Sequence, residues 1–210
     1  SSFPVVTNLF GTRKRIDLAF ANRPDQLIQH LTTLIKEDLP PSLSKLWKNR
    51  RVLSPLLKLG TKMVKKGSIL EDSINPPDLN KLPLLTCWPL DGGPFATLPL
   101  VYTESPHGGP ANLGMYRIQR FDAKTCGLHF QIAKGGGFHF HQAELLNQKF
   151  PVSIFIGGPP ALILSAILPL PENVPELLMA SLLQGGKLHL SKNKPHPHPL
   201  IAECELAIVV

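Results

Sequence analysis

Residues 95–121 read FATLPLVYTESPHGGPANLGMYRIQRF. Two runs rich in apolar, β-branched and aromatic residues, Phe95–Thr103 and Met115–Phe121, flank a connection of Gly, Pro and Asn. That is the pattern of short strands joined by tight turns. Working outward, further strands are expected at Gly127–Ala133, Val152–Ile156, Lys187–Ser191 and Ala202–Val210. Helices are expected between them at Phe138–Gln148, at Pro159–Leu168, and at Pro175–Gln184, where Gly185-Gly186 supplies the stop. Short strands with inserted helices predict an α+β barrel rather than a doubly wound parallel sheet.

Upstream the texture differs. Phe3–Asn8 reads as a short buried strand and Thr12–Ala21 as a helix, with Arg13-Lys14-Arg15 in its first turn. Pro24 opens a second helix in which Leu27, Ile28, Leu31, Leu34 and Ile35 recur at helical spacing, and Pro40-Pro41 ends it. Residues 42–66 are basic and mixed, which predicts short connecting helices. Pro76-Pro77 and Pro83 bracket a linker and place a domain boundary near residue 80. Residues 1–80 are then the remainder of an N-terminal α/β domain with its basic connection, and 81–210 form the barrel domain.

The 210 residues are 43% hydrophobic and 18% charged, enough to build a core rather than a disordered chain. The 22 prolines and 16 glycines imply short elements. Three cysteines, far apart and not in CxxC spacing, argue against a disulfide framework or a zinc ribbon and fit a reducing cytoplasm. No apolar run reaches the roughly 18 residues of a membrane span. Residues 1–66 carry 13 Lys and Arg against 4 Asp and Glu, a net +9, while the remainder carries 9 against 11. Such a basic third could attract nucleic acid or an anionic membrane surface. Aromatic interleaving is missing, so a solvated helical face is expected and nucleic acid is not. The first residue is serine, and Leu206–Val210 is an apolar run at the other end. Both ends are expected to be cuts.

Three segments set polar groups among apolar and glycine-rich neighbours. In Asn112-Leu-Gly-Met-Tyr-Arg117 strand alternation puts Met115 and Arg117 on one face and Tyr116 on the other. An arginine projecting from a barrel strand needs an anion, unless it merely caps a surface loop. In Gly127–His141, three successive glycines beside Lys134 and a helix start could admit a phosphate, although a glycine run is more often a flexible turn. The Walker spacing is absent. His139 and His141, two apart on a helix, cannot share a face, so at most one reaches a given site. In Pro169–Glu176, the Glu176 carboxylate enters a helix at its first turn, where a capping carboxylate is the more common case. Asn, His and Glu form a hard oxygen and nitrogen set suited to Mg²⁺ or Mn²⁺. Pro195-His-Pro-His-Pro199 is expected to be an exposed extended loop.

Six segments together resemble the UbiD decarboxylases: FPVVTNLFGTRKRIDLAF at 3–20, DLNKLP at 78–83, NLGMYRIQ at 112–119, GLHFQ at 127–131, PVSIFIGGPP at 151–160 and PLPENVPE at 169–176. The resemblance implies a flavin-reductase-like split β-barrel, preceded by part of an α/β domain, that binds prenylated FMN through a divalent metal, usually manganese. Carried over, the metal ligands are Asn112, His139 and Glu176. Met115, Tyr116 and Arg117 would lie along the cofactor, Arg117 also facing the substrate carboxylate as the catalytic residue. His129, Phe130, Gln131, Lys134 and Gly135 would line the flavin and its phosphate.

The implied reaction is non-oxidative decarboxylation of an aromatic acid, of hydroxybenzoate or hydroxynaphthoate type, in ubiquinone or menaquinone biosynthesis. A flavin prenyltransferase would supply the cofactor. A homo-oligomer in the cytoplasm, with contact at the membrane periphery, is the implied setting. Family members are roughly twice this long, consistent with several domains, and the resemblance places the proton-donating acids and the oligomerising domain beyond Val210. Val209-Val210 stand where Glu-Gly is common. The chain alone is therefore expected to be inactive. The rival reading is a non-catalytic module, or a decayed paralogue, that holds flavin phosphate and metal.

Overall fold

The structure, a computed structural model, describes residues 4, 6–21, 23, 25, 59–131, 134–170, 174–192 and 196–210. Thr12 has extended backbone and its hydroxyl accepts from the Arg15 amide, which starts helix α1 (Arg13–Phe20). Ala21 ends it in the left-handed conformation, and Phe20 turns into the core against Phe10. The second expected helix, from Pro24, falls largely outside the described residues. Pro4 and residues 6–8 are irregular and largely exposed rather than a strand.

Gly60, at φ 96°, precedes strand β1 (Thr61–Val64), in a stretch where a helix was expected. It pairs in parallel with a strand more than 120 residues later, a partner that no local pattern announces. There follow β2 (Phe95–Ala96), β3 (Leu100–Thr103), β4 (Asn112–Met115), β5 (Ile118–Arg120) and β6 (Cys126–Leu128). Next come α2 (Gly135–Leu145), β7 (Ser153–Ile156), α3 (Pro160–Ser165) and α4 (Glu176–Gln184). Strands β8 (Leu188–Ser191), β9 (Leu200–Ile201) and β10 (Leu206–Val209) complete the described elements.

These strands form three small sheets, in the orders β1-β8-β9, β10-β7-β3-β4 and β2-β5-β6. With helices packed among them, the chain is mixed α+β, as expected. Two of the expected strands are each split between sheets. Pro99 has no amide hydrogen to donate and parts β2 from β3. Tyr116-Arg117 is the corner between β4 and β5. At both points the chain crosses between the four-stranded sheet and the β2-β5-β6 sheet.

Strand β3 is buried on both faces, which explains its unbroken apolar run. Leu100 and Tyr102 join Leu113, Phe155, Leu162, Ala180 and Leu188 in the main core, beneath α3 and α4. Val101 points the other way, into a second cluster with Ala96, Tyr116, Ile118, Val152 and Ile154.

The carboxy-terminal part departs from expectation twice. Ala202–Glu205 is a turn, so Glu203 and Glu205 precede the last strand rather than lie on it. Glu203 folds back to accept from the amide and the ring of His189. The Pro-His-Pro-His segment is not wholly exposed either: His198 is buried and meets Tyr102 edge to face at 5.3 Å. Packing on a buried tyrosine outweighs the extended, solvated bias of the flanking prolines.

Candidate functional site

The site grows out of one hairpin. Antiparallel register sets Thr103, the last residue of β3, opposite Asn112, the first of β4. Two helix starts close on this point. The first turn of α4 brings Glu176, whose carboxylate accepts from the Leu113 amide at 3.1 Å. The first turn of α2 brings Gly135 and Gly136, and the Gly136 amide donates to the Tyr116 hydroxyl at 3.2 Å.

Glycine is required at 135 by proximity: a Cβ there would lie 2.3 Å from Asn112 Oδ1. The helix therefore starts three residues earlier than its apolar pattern suggested, and the glycine run is its first turn. His139 follows one turn in, buried, with its Nδ1 3.1 Å from the buried Thr103 hydroxyl. His141 points to the exterior beside Glu144. Only one of the two histidines reaches the site.

These groups line a cleft of about 1150 Å³. Asn112, His139 and Glu176 share its wall with Met115, Tyr116, Arg117, His129, Gln131, Lys134 and Gly135. Phe130 is not among the described lining residues. Its ring stacks with Phe140 and meets Tyr116 and Phe150 edge to face, so it backs the wall.

Burial sets the protonation of the wall. It pushes the His139 pKa down, against a nearby Glu104 that raises it, so the imidazole is neutral. It pushes the Glu176 carboxyl up, opposed by the Leu113 amide. It pushes the Tyr116 hydroxyl up as well. The Asn112 amide nitrogen is buried without a hydrogen-bond partner. Among the described residues no three His, Cys, Asp or Glu side chains gather as a metal cluster.

Arg117 is already paired. Its two terminal nitrogens bond both oxygens of Asp91, at 2.9 and 2.6 Å, and its guanidinium lies 3.7 Å over the Phe95 ring. Sequence reasoning missed Asp91 and Thr103. Thr103 could have been found from hairpin pairing with Asn112, whereas nothing in the spacing points to Asp91.

A family model described as the 3-octaprenyl-4-hydroxybenzoate carboxy-lyase Rift-related domain, UbiD, matches residues 62–209. The chain belongs to the UbiD family. The N-terminal domain model of the same carboxy-lyase matches residues 1–35. Among curated relatives, a 4-hydroxybenzoate decarboxylase subunit of Chlamydia pneumoniae is 54% identical over 209 residues. That match takes in 100% of this chain but 35% of the relative. The shortfall exceeds the twofold difference expected from the resemblance.

Among solved structures, the vanillic acid decarboxylase of Sedimentibacter hydroxybenzoicus in closed form superposes with a TM-score of 0.68 at 24% identity. It covers 82% of this chain and 38% of that one. An evolved dimeric form of the UbiD-class enzyme HmfF from Pelotomaculum thermopropionicum, in complex with prFMN, gives 0.67 at 24%, over 75% of this chain and 39% of that one. At such identities the two structures establish the fold. Among the described residues no helix is long and apolar enough to cross a membrane.

Proposed function

We propose that the cleft binds the phosphate of a prenylated FMN through a divalent cation, Mn²⁺ or an equivalent, held by Asn112, His139 and Glu176. The whole protein would then release CO₂ from an aromatic acid without oxidation. One observation carries this reading: side chains from β4, α2 and α4 converge on one cleft beside the glycine-rich start of α2. Each fits a metal ligand. With Nδ1–H donating to the Thr103 hydroxyl, a neutral His139 ring would present Nε2, the form that ligates. Burial disfavours the bare Glu176 carboxylate, a cost that a cation relieves. Asn112 would ligate through its side-chain carbonyl oxygen, the end that faces Gly135. The set is hard and suits Mn²⁺ or Mg²⁺.

When bound, the modified flavin supplies the electrophilic chemistry of the carbon–carbon cleavage. The chain's own residues bind and orient. Lys134 and the amides opening α2 favour an anionic phosphate. Met115, Tyr116, His129, Gln131 and Gly135 form the wall along the cofactor, and Phe130 braces the Tyr116 ring. Arg117, always protonated, binds the carboxylate and cannot act as the acid. Glu176 is the sole carboxylate among the described lining residues. With Glu176 on the metal, no carboxylate remains among the described lining residues to serve as the general acid.

The Chlamydia and Sedimentibacter proteins are named for aromatic acids, which supports that substrate class. A hydroxybenzoate or hydroxynaphthoate, in quinone biosynthesis, is the specific form. A flavin prenyltransferase as cofactor source, a homo-oligomer, and a cytoplasmic setting at the membrane periphery complete the reading. The single lining carboxylate favours one alternative for the chain by itself, a metal and flavin-phosphate module without turnover. Supplying the remaining family length should restore CO₂ release if the catalytic reading holds. The direct test is Mn²⁺ retention in Asn112→Ala, His139→Ala and Glu176→Gln. Each is expected to lose at least about 10-fold, and unchanged metal content in all three ends the proposal.

A further inference from the structure

We propose that Asp91 is the positioning residue of Arg117: it grips the guanidinium from outside the cleft, so that the remaining N–H groups present a preformed seat for a carboxylate. The inference rests on the reading of Arg117 as the substrate-carboxylate residue and names what holds it in place.

Arginine has five N–H donors, and the pair with Asp91 uses one on each terminal nitrogen. Among the described residues the inner Nε–H and the outer terminal hydrogens meet no other partner. Arg117 is part of the cleft wall, whereas Asp91 and Phe95 are not among its lining residues. The grip therefore comes from behind. Asp91 is only 9% exposed at its side chain and is itself fixed, since the Trp88 amide donates to the same Oδ2 that receives Arg117. Its loop is tied to β5 by Gln119, whose side-chain amide donates to the Gly92 carbonyl at 2.9 Å. The Phe95 ring closes one face of the guanidinium by cation–π contact.

A free arginine samples many rotamers, and binding a carboxylate must first freeze them. Here the fork of Asp91 and the ring of Phe95 have removed that freedom beforehand. Arg117 in turn holds the Asp91 carboxyl below the usual range, so the partner is ionised throughout neutral pH.

The experiment compares two probes of the same shape, 4-hydroxybenzoate and the neutral 4-hydroxybenzamide, by calorimetric titration of the protein. The wild type is expected to prefer the carboxylate. Arg117→Gln should abolish the preference. Asp91→Asn, which keeps an oxygen for the Trp88 amide, should cut it by about 10- to 100-fold, the scale of a misplaced binding group. Affinity for the amide and the melting temperature should hold. Phe95→Leu should cut the preference by a few-fold, and offers a second variant if the loop fails to fold.

A preference retained in Asp91→Asn overturns the proposal. So does carboxylate affinity that rises in that variant, because Asp91 would then be a competitor for Arg117. A wild type with no preference also overturns it. FMN binding is measured separately: its absence beside an intact, Asp91-dependent preference sinks the flavin reading and supports this one.

Discussion

Replacing Thr103 with valine asks whether the hydrogen bond behind His139 sets metal affinity or only stability. Thr103 is 0% exposed and its hydroxyl lies 3.1 Å from His139 Nδ1. Valine matches threonine in shape, so the hydroxyl alone is lost. Two separate costs follow. A buried ring nitrogen without a partner destabilises the fold by about 1–3 kcal/mol. A ligating histidine that loses the group orienting it weakens metal binding by about 10- to 100-fold. At about 1.4 kcal/mol per tenfold, that is about 1.4–2.8 kcal/mol of metal affinity. Thermal unfolding of the metal-free protein reads the first cost and Mn²⁺ titration the second. Thr103→Ser keeps the hydroxyl and should bind Mn²⁺ as the wild type does. A valine variant that unfolds more easily yet binds Mn²⁺ unchanged would refute the orienting role.

Gly135→Ala would set a Cβ 2.3 Å from Asn112 Oδ1. Displacement of that side chain should lower Mn²⁺ affinity at least about 10-fold while circular dichroism keeps the α+β signature. His198 is buried with its pKa lowered, as is His139, so the fold keeps both neutral. Below the ordinary histidine value of 6.5 the unfolded chain takes up protons that the fold refuses. Stability is then complete above that pH and is lost as pH falls through the window down to the depressed folded value. His198→Phe keeps a ring against Tyr102, and its melting temperature should fall less steeply from pH 7 to 5 than that of the wild type. Identical slopes contradict this. The basic residues of the first third should give no duplex binding at physiological salt, since diffuse charge binds only by counterion release. A filter-binding assay checks that, and sequence-selective retention would contradict it.

Elements with local punctuation were legible. The helix over Thr12–Ala21 and the Gly185 stop of α4, the latter at φ 75°, needed no distant partner to be recognised. Elements decided by remote partners were not. Strand β1 owes its conformation to β8, and the Tyr116-Arg117 corner to membership of two different sheets. Pro99 carried a readable signal, a missing donor inside an apolar run, yet the run alone predicts one strand. The site was legible as three segments, and its ligand assignments came through the family resemblance. What stayed hidden was the supporting layer. Thr103 becomes relevant only through hairpin register, and Asp91 only because its loop folds back onto Arg117.

The binding of a cation and a flavin phosphate at one site is most directly tested by titrating Mn²⁺ into the protein, followed by electron paramagnetic resonance, with and without FMN. If Asn112, His139 and Glu176 hold a metal that also meets the phosphate, FMN tightens Mn²⁺ binding. Mn²⁺ must then tighten FMN binding by the same factor, because coupling between two ligands is reciprocal. Both effects should vanish in Glu176→Gln. Mn²⁺ and FMN affinities that ignore one another, or a coupling that survives Glu176→Gln, would contradict the assignment of this cleft.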